Sequence, residues 1–413
     1  MDYEDLMMAL KNGGVPPVGA YELCIGREKE IAEFQYLLQK VDEGKAITRF
    51  IKGDFGSGKS FFLKYIEEMA YKKDFVVSKV TLGGNIPFNK IEIVYRNIVK
   101  NLRCKTGTSL DHIIEKWITH LKMMAYQQTN DPFKQNSIIK DNMRSELESA
   151  RSYSNSFVAA IENYYDATNS GDHETANYAQ AWLRGDSNIP YTYKRKFGVK
   201  GDVDRENAFK FIEALAAFVK SIGYSGLIVL IDEAEHILSL HTKKIRDVSY
   251  DYIRRIYDDC TENILKNTLF IFAGTTDFFD DLRKGTPSHI PLNERIDERI
   301  HDNNHPDMRK PVIKLEGFQK EELTELAERL MLIHEQVYNW NGTERIRPIL
   351  GDIVNIHELN AELFGEVRPR DFIQAFLGVL DTVQQNSQEL NSNESILELF
   401  KQEEEQEIDE DDW

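Results

Sequence analysis

Residues 50–60, Phe50-Ile51-Lys52-Gly53-Asp54-Phe55-Gly56-Ser57-Gly58-Lys59-Ser60, limit what this chain can fold into more than any other stretch. Gly53, Gly58, Lys59 and Ser60 satisfy the phosphate-loop spacing G-x-x-x-x-G-K-[ST]. Such a loop needs a strand before it and a helix after it. Ala46 to Ile51 is a short β-type run, and Phe61 to Met69 is apolar at helical spacing. The glycines let successive N–H groups turn toward one point at a helix N-terminus, where the dipole also favours an anion. Gly53, Asp54, Phe55, Gly56, Ser57, Gly58, Lys59, Ser60 and Phe61 are therefore the expected nucleotide-binding residues. In such loops the lysine, here Lys59, reaches the β- and γ-phosphates of ATP, and the hydroxyl, here Ser60, holds Mg²⁺.

A phosphate loop needs a carboxylate on a nearby strand end. Gly226-Leu227-Ile228-Val229-Leu230-Ile231-Asp232-Glu233 reads as a buried strand closed by two acids. Asp232 fits the metal-holding carboxylate, and Glu233 fits the base that positions and deprotonates an attacking water. Two adjacent acids are costly in a core, which places them at the strand's C-terminal edge, where such sheets bind ligands. The next apolar strand, Leu269 to Thr276, ends in Thr275 and Thr276. Thr275 can hold the water between the carboxylates and the γ-phosphate, or serve as ordinary turn chemistry. Arg295 and Arg299 sit four apart and would share a helix face. One of them can reach a neighbouring subunit's γ-phosphate, or both can pair locally with Glu294, Asp297 or Glu298. Arg368 and Arg370, at the start of a helix with Pro369 near its first position, can touch nucleotide from a lid or pair with a surface acid. His301, Asp302, His305 and Asp307 lie in a segment without helical or strand order to fix ligands, so no metal is expected there.

The chain of 413 residues is long enough for two or three domains. A run of βαβα periodicity to about residue 105 predicts an α/β fold with a mostly parallel sheet. Residues 106–205 show helical periodicity without strand pairs, which reads as a helical insertion. The expected organisation is an arm over 1–20, a nucleotide-binding core over 21–105 and 206–315, the insertion over 106–205, a helical lid over 316–385, and a polar, acidic tail over 386–413. The insertion ends in Pro190 to Lys200, where aromatics alternate with four bases. That stretch is either a grip for a single strand or a loop whose aromatics pack on the domain. Net charge is −18, and residues 403–412 hold eight acids and no base. Coating DNA through general positive charge is thereby excluded, and any nucleic-acid contact must be local. Three scattered cysteines, no signal peptide and no apolar stretch of spanning length predict a cytoplasmic protein without a membrane partner.

These motifs, in this order, resemble the AAA+ ATPases, especially the origin-recognition branch. The carriers are Gly26-Arg27-Glu28, the phosphate loop, Asp232-Glu233, Thr275, Arg295 and Arg299, and Gly365-Glu366-Val367-Arg368, which is similar to that branch's second sensor motif. That branch carries a winged-helix DNA-binding domain after the lid. Only about 30 residues follow Leu380 here, so autonomous sequence-specific duplex binding is not expected. A closer resemblance is to the ATP-binding proteins of BREX-type bacterial phage-defence systems. It rests on Gly53–Ser60, Ala181-Trp182-Leu183-Arg184-Gly185, the run from Asn207 through Ile222-Gly223-Tyr224-Ser225-Gly226 to Asp232-Glu233-Ala234-Glu235, and Arg368-Pro369-Arg370-Asp371-Phe372. The resemblance implies an ATPase acting in defence against foreign DNA. It also implies other defence-system proteins as partners, whereas a finger arginine would place ATP between subunits of a homo-oligomer, and any DNA contact would be without sequence specificity. A low-turnover ATP-dependent switch that gates complex assembly fits the same motifs.

Overall fold

The computed structural model describes residues 3–199, 201–296, 307–364, 368–390 and 392–410. Six strands form one sheet: β1 (Ala46–Lys52), β2 (Val76–Thr81), β3 (Leu102–Arg103), β4 (Leu227–Asp232), β5 (Thr268–Gly274) and β6 (Val312–Lys314). Their order is β3-β2-β4-β5-β1-β6. The fold is the α/β, mostly parallel class that the phosphate loop calls for. Two compact units divide the chain. One comprises Met1–Glu33, Ile51–Glu68 and Ile313–Trp413, and the other Phe34–Phe50 and Met69–Val312.

The larger unit, Phe34–Phe50 with Met69–Val312, holds β2, β3, β4 and β5. β2, β4 and β5 run parallel, and the short β3 pairs antiparallel with β2. The register runs from Val76 opposite Leu227 to Thr81 opposite Asp232. Every residue of β4 and β5 is buried, which explains their unbroken apolar runs: a parallel strand covered on both faces has no solvent side. Gly226, with φ 156°, introduces β4 because a Cβ there would stand 2.3 Å from the Asn267 carbonyl oxygen.

Residues 106–205 fold as six helices, from Leu110–Gln128 to Tyr191–Lys196. Capping side chains cut the segment into pieces: Ser109, Asp131, Ser154 and Asp172 each accept from a backbone N–H in the first turn of the helix that follows. Trp117, Phe157 and Trp182 meet Phe211 and Phe218 of the helix Ala208–Ser221 edge-on at 5.3–6.1 Å. The insertion therefore shares one hydrophobic core with the sheet's covering helix. The run Ala181–Gly185 owes its pattern to this packing. Trp182 Nε1 donates to the Gly201 carbonyl, Arg184 pairs with Asp111 at 2.6 Å, and Tyr95 donates to the Leu183 carbonyl.

The aromatic and basic stretch before residue 200 is folded onto this unit. Tyr193 stacks on Tyr178 at 4.2 Å, Lys194 pairs with Asp202 at 2.6 Å, and Lys196 with Asp172 at 3.5 Å. Two of its four bases are thus held by neighbouring acids, while Lys200 lies outside the described residues. Phe197 is buried behind it, whereas Tyr191 is 77 % exposed and the helix Tyr191–Lys196 buries none of its residues.

The smaller unit gathers the phosphate loop, the N-terminal segment and the helices after β6. Helices Lys320–Tyr338, Leu350–Phe364, Pro369–Gln385 and Asn393–Glu410 build its core with residues of the chain's start. The N-terminal arm is more ordered than its Gly-Gly-x-Pro-Pro run predicts. Tyr3–Lys11 is a helix that buries Leu6, Met7 and Leu10. Lys11 Nζ pairs with Asp381 at 2.6 Å and donates to the Tyr338 hydroxyl. Burial raises the Asp381 carboxyl, but His334 and Lys11 more than offset this and hold it below its ordinary value. A carboxyl with a lowered folded pKa contributes stability above its unfolded value, and that stability is lost as pH falls through the folded one. Limited proteolysis of the arm should therefore be slow at neutral pH and faster below about pH 4. Asp381→Asn should bring the fast rate up to neutral pH.

The acidic tail begins inside this core. Ile396, Phe400 and Glu404 recur at helical spacing, and all are buried. The Glu404 carboxyl group shares a hydrogen bond with His357 Nδ1 and accepts from Asn360 Nδ2. Glu404→Ala takes this partner from the buried His357 Nδ1 and from the half-buried Asn360 and should cost about 1–3 kcal/mol, read as a lower midpoint in thermal unfolding. No helix among the described residues is long and apolar enough to cross a membrane.

Candidate functional site

The phosphate loop lies in the smaller unit. Gly56 and Gly58 take φ of 76° and 89°, left-handed values that turn the backbone between β1 and the helix Lys59–Lys72. The helix's first N–H groups have no intrahelical partners and are offered to the loop. Lys59 is 8 % exposed. Its Nζ donates to the Gly53 and Asp54 carbonyl oxygens at 2.7 Å each, so the ammonium is folded back over the loop. Ser57 Oγ is buried and has no hydrogen-bond partner among the described residues. A buried ammonium turned onto its own loop, a buried hydroxyl without a hydrogen-bond partner and a helix N-terminus fit a phosphate group. Phe55 projects from the loop, 69 % exposed, with its ring centroid 5.6 Å from Lys59 Nζ. Phe61 packs against the unit's hydrophobic core.

The two lid arginines part company within this unit. Arg368 is the N-cap of the helix Pro369–Gln385, in extended backbone, and its side-chain carbons lie 3.2–3.5 Å from where a Gly56 Cβ would stand. It therefore lies along the phosphate loop. The Arg370 guanidinium instead packs over Gly13 in the arm, and its Nε donates to Gln374. Arg27, part of the Gly26-Arg27-Glu28 motif, donates to the Glu316 carbonyl at 2.6 Å and lies over the Phe318 ring. Its role is to fasten the motif to the segment after β6. Gly365, Glu366 and Val367 fall outside the described residues.

The acidic strand end belongs to the larger unit. Asp232, 3 % exposed, closes β4. Its Oδ2 pairs with Lys79 Nζ of β2 at 2.9 Å, and its Oδ1 accepts the Glu233 N–H at 3.1 Å. Glu233 has φ 57°, a conformation a non-glycine residue rarely takes and that costs about 1–3 kcal/mol. The turn throws its side chain outward: it is 47 % exposed and meets His236 Nε2 at 3.1 Å. Thr275, 4 % exposed, donates its backbone N–H to Glu235 Oε2 at 3.2 Å. Glu235 thereby fixes the end of β5 relative to the turn after β4.

Three residues here escaped sequence reasoning: Lys79, Glu235 and His236. Lys79 left a signal, because it interrupts the otherwise apolar or small run Val76–Leu82. Arg295 forms a two-pronged pair with Asp258, with Nη2 to Oδ2 at 3.0 Å, and donates to the Pro291 carbonyl. That partner is a residue of the helix Lys243–Thr261, while Asp297 and Glu298 lie outside the described residues. Arg299, His301, Asp302 and His305 lie outside the described residues.

Among solved structures, the chain is similar to a Walker-type ATPase of Pyrococcus abyssi, with a TM-score of 0.35 and 11 % sequence identity. That match covers 88 % of this chain and 69 % of the other. No curated protein matches the chain. The family model described as BREX system ATP-binding protein BrxC/D matches residues 1–398. With a phosphate loop, an acidic strand end and a family match over nearly its whole length, the chain belongs to the BREX system ATP-binding protein family.

Proposed function

We propose that this chain binds Mg·ATP and hydrolyses it, and that the cycle drives action on a protein or DNA partner within the defence system. The observation that carries the reading is the contrast between the two acids ending β4. Asp232 is buried and held in one orientation at the end of β4 by Lys79 and the Glu233 N–H. Glu233, one residue on, is turned out by a strained backbone and free to meet water. Asp232 and Ser60 offer the hard oxygen donors that a magnesium ion takes, and the ion when bound would neutralise phosphate charge. Gly53–Ser60 hold the phosphates, and Lys59 exchanges its two carbonyl partners for phosphate oxygens. Glu233 accepts the proton of the attacking water, and Thr275 helps to place that water.

Arg368 is the nucleotide-touching arginine of this reading, because its side chain runs along Gly56, although its guanidinium also pairs with Asp371 at 3.8 Å, while that of Arg370 packs at Gly13. Arg368→Ala should weaken ATP binding about tenfold, whereas Arg370→Ala should leave it within about twofold. Equilibrium binding of a fluorescent ATP analogue measures both. Arg295 and Arg299 are the candidates for a finger reaching a neighbouring copy in a homo-oligomer, and Arg295 would have to leave Asp258 to do so. Full activity in both arginine variants would remove the basis for that role.

A low-turnover switch uses the same cradle. Steady-state ATPase activity with and without DNA separates the two readings. Turnover of order one per second that responds to DNA supports hydrolysis as the output. Nucleotide binding with turnover slower than complex assembly supports the switch.

A further inference from the structure

We propose that Lys79 is the internal counter-ion of the acidic strand end: it takes the place of the divalent cation in metal-free protein and opposes the cation's arrival. This rests on the reading of Asp232 as the metal-holding carboxylate. Lys79 lies on β2, opposite Leu230 in the register and two residues before Thr81, which stands opposite Asp232. Residues two apart share a face of a strand, so the Lys79 side chain runs along the sheet toward the strand ends. Its ammonium ends 2.9 Å from Asp232 Oδ2. The backbone beneath it is pinned, since the Lys79 carbonyl accepts from Asn101 Nδ2 at 2.9 Å and Ser78 Oγ donates to the Ile98 carbonyl.

The environment makes this pair consequential. The Asp232 side chain is only 4 % exposed and that of Lys79 29 %. A carboxylate so buried needs a partner for its charge, and the Glu233 N–H alone supplies a dipole, not a charge. Lys79 supplies the charge and, with the Glu233 N–H, fixes how the carboxylate is turned. A cation arriving at the same carboxylate meets an ammonium already there, and the two repel. Lys79 thus sets how much a divalent cation gains at this site, and with it how strongly the metal tightens nucleotide binding. By linkage the two effects are one quantity.

The test measures ADP affinity in excess Mg²⁺ and again in EDTA, by isothermal titration calorimetry, and takes the ratio. No turnover is involved. Lys79→Met keeps the apolar stem and removes the charge, and should raise the ratio about tenfold. Lys79→Arg keeps the pair and should match the wild-type ratio. Asp232→Asn should bring the ratio down toward one. If Lys79→Met does not fold, Lys79→Gln carries the same expectation with a polar partner for Asp232. A fall in the ratio at Asp232→Asn together with an unchanged or lower ratio at both neutral Lys79 variants overturns the counter-ion role. An unchanged ratio at Asp232→Asn shows instead that Asp232 holds no metal, which overturns the underlying reading and the proposal with it.

Discussion

Lys59→Ala is expected to abolish measurable ATP binding, with affinity falling at least about 100-fold. Charge-assisted hydrogen bonds to phosphate are roughly twice as strong as neutral ones, and the lysine of such a loop contributes more than one. The local structure sharpens the expectation. Lys59 is buried, and its ammonium sits between the Gly53 and Asp54 carbonyls. Truncation removes a phosphate ligand and also leaves those oxygens without this donor. Lys59→Arg is not a neutral control, because the broad planar guanidinium has to fit where a compact ammonium bridges two carbonyls 2.7 Å away. Filter binding of labelled ATP, with circular dichroism to confirm folding, measures the effect. Affinity within about tenfold of wild type would mean that the nucleotide is held mainly elsewhere.

Glu233→Gln is expected to bind ATP as wild type does and to hydrolyse it at least about 100-fold more slowly. Loss of a positioned base typically costs that much or more. The amide keeps the size of the side chain and the left-handed turn at φ 57°, so the variant isolates proton acceptance. It also keeps an oxygen acceptor for His236, which lies 3.1 Å from the carboxylate. The neighbouring Asp232→Asn should behave differently. It breaks the buried pair with Lys79 and should lower both stability and the contribution of metal to binding.

What the sequence discloses about this molecule follows from the range of the interaction concerned. The phosphate loop is a matter of local backbone, so glycine spacing between a strand and a helix is enough to locate it. Asp232 and Glu233 stand out because two acids ending an apolar run have few places to go in a parallel sheet. Lys79 is different: its role depends on the register that sets β2 beside β4, and no local pattern encodes a register. Glu404 reads as part of an acidic tail because seven more acids surround it in residues 403–412, and only the packing of Asn393–Glu410 turns it toward His357. The choice between Arg368 and Arg370 hinges on where the helix begins. Arg368 in extended backbone faces Gly56, and Arg370 inside the first turn faces Gly13. The helix Tyr3–Lys11 is too short to stand alone, so it exists through docking of Leu6, Met7 and Leu10, which local propensity does not foretell.

With Gly53–Ser60 as the phosphate cradle and Glu233 as the base, ATP hydrolysis is the proposed output. Its most direct test is phosphate release from Mg·ATP by wild type and by Glu233→Gln, with bound nucleotide counted in the same samples. Expected are equal ATP occupancy, steady phosphate release by wild type and release at least about 100-fold slower by the variant. Equal rates of release at equal occupancy would contradict it.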